Sequence, residues 1–98
     1  MDINFSAITT IIAKENMDRK IYVGNLPITF EEFDLEKLFK THGKVISVGI
    51  FSYPALAWSG KYGYVEMSST DEASNAVSLL NNYSVDGKRI TVSYLASR

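Results

Sequence analysis

Tyrosines at strand-like spacing are the residues of this 98-residue chain whose types could do chemistry. Tyr22 lies in the run Ile21-Tyr22-Val23-Gly24-Asn25-Leu26, and Tyr62 and Tyr64 lie two apart in Gly60-Lys61-Tyr62-Gly63-Tyr64-Val65-Glu66-Met67. Residues i and i+2 of a strand share a face, so Tyr62 and Tyr64 point the same way. Rings fixed on a rigid surface stack on other flat π-systems; they make and break no bonds. Groups that most hydrolytic or metal chemistry needs are missing. There is no cysteine and a single histidine, His42, which removes thiolate zinc sites, a cysteine nucleophile, a disulfide framework and a Ser/His/Asp set. His42 stands alone at the end of a predicted helix and reads as structural. No catalytic residue, metal or cofactor is expected, and the chain is not read as an enzyme.

The elements that must position the rings follow from the apolar pattern. Hydrophobic residues make up 46% of the chain and charged residues 21%, which suits one folded domain with one core. Residues 20–26 read as a strand. Leu35, Leu38 and Phe39 give a helical stripe over residues 31–42, with Glu31, Glu32 and Asp34 in the first turn and Gly43 as the stop. Residues 44–51 read as a second strand, with Ser47, Gly49 and Phe51 on one face and Val48 and Ile50 on the other. A loop over residues 52–60 leads to a third strand, residues 61–68. Ser69 and Glu72 have capping-box spacing before the stripe Ala73, Ala76, Val77, Leu80, and Asn81 with Asn82 closes that helix. Asp86-Gly87 makes a turn before a last strand, residues 90–95. The order is βαββαβ: an α+β fold with a four-stranded antiparallel sheet and two helices on one face. If Ile21, Val23, Val65 and Met67 face the helices, then Tyr22, Tyr62, Tyr64 and Phe51 face solvent, and rings exposed together mark an interaction surface.

These residues resemble the RNA recognition motif family over about residues 20 to 96. The shorter ribonucleoprotein signature is matched by residues 21–26 and the longer by residues 60–67, on the first and third strands of an independently read βαββαβ order. The resemblance implies a ferredoxin-like βαββαβ sandwich and a single-stranded RNA partner. It assigns Tyr22 and Tyr64 to base stacking and Tyr62 to the sugars between them, with Gly63 leaving room on the helix side and Gly24 keeping the platform flat. Lys20, Asn25, Phe51, Lys61, Arg89 and Ser93 complete the expected RNA-binding set. The chain departs from the family where Gly60 precedes Lys61, the reverse of the usual order, so the family's phosphate contact does not carry onto Gly60. The formal charge of −1 does not announce a nucleic-acid binder, and the claim rests on placement. Glu31, Glu32, Asp34, Glu36, Asp71 and Glu72 fall on the helices, while Lys20, Lys44, Lys61, Lys88, Arg89 and Arg98 fall at strand ends or beside the open face. Two stacked bases at about 1–3 kcal/mol each imply modest affinity.

Residues 1–19 read as an extension, with Phe5, Ile8 and Ile12 on the stripe of a short helix. The loop Ser52-Tyr53-Pro54-Ala55-Leu56-Ala57-Trp58-Ser59-Gly60 is unusually apolar. Trp58 can lie back on its own domain, join Leu56 in a homodimer or stack on RNA, or the extension can pack on the domain and yield to RNA. The competing function is a protein-interaction module on the same fold, with the sheet face or the extension taken by a partner or a second copy. Asp86-Gly87-Lys88-Arg89 stands where peptide-binding relatives carry Arg-x-Phe, which argues against it. An acyl-phosphate-hydrolysing enzyme of similar topology would need a phosphate-cradling loop with a placed arginine. No apolar run approaches the roughly 20 residues of a membrane span, and no secretory pattern opens the chain, so a cytoplasmic location and no membrane partner are expected.

Overall fold

A computed structural model describes residues 18–52 and 61–95. β1 (Lys20–Leu26) leads to α1 (Glu32–Lys40), β2 (Val45–Ser52), β3 (Lys61–Met67) and α2 (Thr70–Leu80). A short hairpin of β4 (Ser84–Val85) and β5 (Lys88–Arg89) precedes β6 (Thr91–Tyr94). β2, β3, β1 and β6 form one sheet in that order, with every neighbouring pair antiparallel. The expected ferredoxin-like βαββαβ architecture is therefore present, and both signature strands are central.

Alternation decides which face is dry. Ile21, Val23, Val65, Met67 and Val92 are buried beneath Leu35 and Phe39 of α1 and Ala73, Ala76 and Leu80 of α2. Tyr22, Tyr64 and Ser93 fall in one cross-strand row on the other face. Gly63 lets α1 approach, because a Cβ there would stand 2.6 Å from Leu35 Cδ2 and 3.2 Å from the Gly49 carbonyl. Close-packed interiors hold no spare room for that methyl.

The helix ends obey local chemistry. Asp34 Oδ2 accepts from the Glu31 N–H at 2.9 Å, and the Ser69 hydroxyl accepts from the Glu72 N–H at 3.2 Å, so both N-termini are capped from within. Glu31 is thus the cap of α1 rather than its first residue, and α1 ends before His42, which is half-buried beyond it. Asn82 takes φ 70 after α2, as the asparagine pair suggests. Asn81 adds a tie that spacing does not show: its Oδ1 accepts from the Val92 N–H at 2.9 Å. The Asp86-Gly87 turn has φ 51 and 83, the left-handed pair of a tight hairpin, and that turn creates the β4–β5 hairpin, an element absent from the sequence reading. Phe5, Ile8, Ile12, Leu56 and Trp58 lie outside the described residues.

Candidate nucleic-acid interface

The open face is built in cross-strand rows. One row holds Gly49, Tyr64, Tyr22 and Ser93, and the next pairs Phe51 with Tyr62. Backbone register alone puts Tyr22 beside Tyr64, but the rings lean. A Cβ on Gly24 would sit 2.7 Å from the Tyr22 hydroxyl oxygen, so the far end of the Tyr22 ring packs on Gly24. That lean carries Tyr22 to Tyr62, with ring centroids 6.1 Å apart and planes at 32°. Tyr62 in turn stacks on Phe51 at 5.4 Å and 29°. Tyr22, Tyr62 and Phe51 therefore form a continuous aromatic row across β1, β3 and β2. Phe51 is 48% exposed, which leaves the end of the row open to a ligand.

Tyr64 leans the opposite way. Its hydroxyl donates to Glu66 Oε1 at 3.3 Å. Glu66 faces the same side as the tyrosines, and its Oε2 pairs with Arg19 Nη1 at 2.8 Å, while the Ser47 hydroxyl donates to Oε1 at 3.4 Å. Arg19 Nη1 also reaches the Met67 carbonyl at 3.3 Å. This cluster is absent from the sequence reading. Strand parity puts Glu66 on the open face, but its partner lies 47 residues away in sequence, beyond the reach of any local spacing.

The remaining expected residues divide. Lys20 and Ser93 lie on the open face beside the rings, as cross-strand partners of Glu66 and Tyr22. Lys61 does not join them. It shares its strand face with Gly63 and Val65, and its Nζ donates to the Phe30 carbonyl at 2.9 Å and pairs with Glu31 at 3.4 Å. The ammonium thus anchors the start of α1, away from the aromatic row. Asn25, at φ 61 in the β1 bulge, donates from Nδ2 to the Arg89 carbonyl at 2.8 Å and fastens the hairpin to β1. Arg89 is exposed beside that tie. Among the described residues no group of His, Cys, Asp and Glu could hold a metal ion, and no helix is long and apolar enough to cross a membrane.

This open aromatic sheet backed by two helices has its counterpart among known proteins. A family profile for the RNA recognition motif matches residues 21–91, and the chain belongs to that family. The 28 kDa chloroplastic ribonucleoprotein of Spinacia oleracea is 37% identical over 79 residues, covering 81% of this chain and 34% of the relative. The 31 kDa chloroplastic ribonucleoprotein of Nicotiana sylvestris is 38% identical over 79 residues, covering 81% of this chain and 25% of the relative. The chain thus spans about a third or less of the length of these curated relatives. Among solved structures, a Sxl-lethal protein–RNA complex superposes with a TM-score of 0.71 at 26% identity, covering 82% of this chain and 48% of that one. The expected cytoplasmic location does not stand, because these relatives are chloroplast proteins. Lack of a secretory pattern and of a membrane-length apolar run is silent about plastids.

Proposed function

We propose that the domain over residues 20–96 binds about two to four nucleotides of single-stranded RNA on its open face, with bases lying on the Tyr22–Tyr62–Phe51 row and on Tyr64. The observation that supports this most is the aromatic row itself, which crosses the two central strands and β2 with the far end of the Tyr22 ring packed on Gly24. Bases gain about 1–3 kcal/mol each on such rings whatever their sequence, so one domain binds modestly and briefly. Lys20 and Ser93 border the rings and Arg89 supplies an exposed cation, whereas Lys61 and Asn25 serve the scaffold. A binder of this kind suits post-transcriptional regulation or RNA chaperoning, in which RNA is held and released. Ribonucleoprotein relatives and a superposable RNA complex favour RNA as the ligand.

The test is fluorescence anisotropy with short labelled RNAs, comparing the native chain with Tyr22→Ala and Tyr62→Ala, beside circular dichroism. We expect each variant to lose about 1–3 kcal/mol of binding with its spectrum unchanged. Native affinity in both variants removes the sheet face as the RNA site.

A further inference from the structure

Among the strand residues of the open face that the structure describes, the one acid is Glu66. A carboxylate repels phosphates, so on a surface that meets a polyanion it hinders backbone binding. Arg19 offsets that charge through Oε2 at 2.8 Å and fixes the side chain. Oε1 is held less firmly. Its donors, the hydroxyls of Tyr64 and Ser47, stand at 3.3 and 3.4 Å, beyond the usual 2.5–3.0 Å of O–H···O bonds. Both hydroxyls can rotate to other acceptors, and an ionised carboxylate oxygen accepts more than one hydrogen bond. The side chain keeps 18% of its surface accessible. Glu66 is thus an anchored acceptor whose Oε1 holds two long, displaceable hydrogen bonds, beside the hydroxyl end of a ring on which a base can lie.

We propose that Glu66 determines base specificity: its carboxylate reads the edge of the base stacked on Tyr64 and favours guanine over uracil. This rests on the RNA-binding reading above. A carboxylate accepts and never donates. Guanine offers it two adjacent donors on one edge, N1–H and the N2 amino group. Uracil offers a single N3–H flanked by two carbonyl oxygens, which the carboxylate repels. Discrimination of this kind uses repulsion of the wrong base as much as attraction of the right one. Arg19 is the positioning residue, since it holds Oε2 and leaves Oε1 toward Tyr64.

The probes are hexamers of uridine and a set in which one guanosine is moved along the uridine hexamer. The full chain should bind the best-placed guanosine hexamer about tenfold more tightly than hexauridine. Glu66→Gln, whose neutral amide both donates and accepts and so no longer repels the uracil carbonyls, should bind hexauridine more tightly than the native chain and prefer guanosine by no more than about twofold. Glu66→Asp, which keeps the charge but withdraws it from Tyr64, should lose the preference likewise. Melting curves confirm that each variant is folded, and if Glu66→Gln is not, Glu66→Asp decides. A guanosine preference that survives in the folded variants, or none in the native chain, overturns the proposal and leaves RNA binding intact. Failure of the native chain to bind any hexamer overturns the RNA-binding reading itself.

Discussion

A few side chains decide what the open face presents, and several of them act by leaning rather than by register. Tyr22 and Tyr64 are backbone partners, yet one ring lies over Gly24 toward Tyr62 and the other turns to Glu66. Gly24→Ala tests whether the lean matters, because its Cβ would be 2.7 Å from the Tyr22 hydroxyl. The far end of a tyrosine moves easily, so melting should change by less than about 1 kcal/mol. A lifted ring stacks poorly, and RNA affinity should fall by up to about 1–3 kcal/mol in an anisotropy titration. Equal affinity in Gly24→Ala and the native chain shows that Tyr22 need not pack on Gly24. Tyr64 separates ring from hydroxyl. Tyr64→Ala should lose about 1–3 kcal/mol of binding, whereas Tyr64→Phe, which keeps the ring, should lose about 0.5–1 kcal/mol. If the two variants lose equally, Tyr64 acts through its hydroxyl and not by stacking.

The helices, strands and turns behind those rings depend on close approach at one glycine and on the cap of one helix. A methyl at Gly63 meets fully buried Leu35 and the Gly49 carbonyl, neither of which can retreat, so Gly63→Ala should destabilise the domain by about 1–3 kcal/mol in urea unfolding. Stability equal to that of the native chain means that α1 can shift outward freely. At α2, the Ser68 hydroxyl donates to Glu72 and is the main cause holding that carboxyl below its ordinary 4.5; burial opposes it, and the Lys44 backbone and Ser69 assist. Its folded value is below the unfolded one, so the contribution is complete above about pH 4.5 and is lost as pH falls through the folded value. The stability gap between the native chain and Glu72→Gln should narrow in acid. A gap constant from about pH 7 to pH 3 rejects this linkage. Much of this layer was legible in the sequence: β1 runs from Lys20 to Leu26 as alternation required, and Ser69 caps α2 as its spacing to Glu72 required. Face parity correctly put Tyr22, Tyr62, Tyr64 and Phe51 together because a strand's period is two residues. Ring directions, the Arg19–Glu66 pair and the use of Lys61 on Phe30 were not legible, since each joins residues 30 or more apart or depends on a rotamer. The β4–β5 hairpin is not legible for another reason, its strands being two residues each, too short to show a period.

The whole molecule carries a formal charge of −1, and its fold uses several cations before any ligand arrives. Arg19 is paired with Glu66, Lys61 with Glu31, and Lys88 Nζ lies 3.5 Å from the Leu26 carbonyl. Within the expected RNA-binding set, Lys20 and Arg89 are then the cations that make no ion pair among the described residues. Stacking, not phosphate pairing, should therefore supply most of the affinity. Counterion release measures the balance directly, because single strands give a slope of about −0.7 in log K against log salt for each phosphate neutralised. With about two to four phosphates engaged, the slope should lie near −1.5 to −3. Tyr22→Ala should lower affinity at every salt concentration and leave that slope unchanged, since a stacked ring releases no ions. Arg89→Ala should reduce the slope by about 0.7 if its side chain neutralises a phosphate. A native slope equivalent to about eight phosphates or more would mean that a basic surface outside the aromatic row dominates binding, and the sheet face would then be secondary.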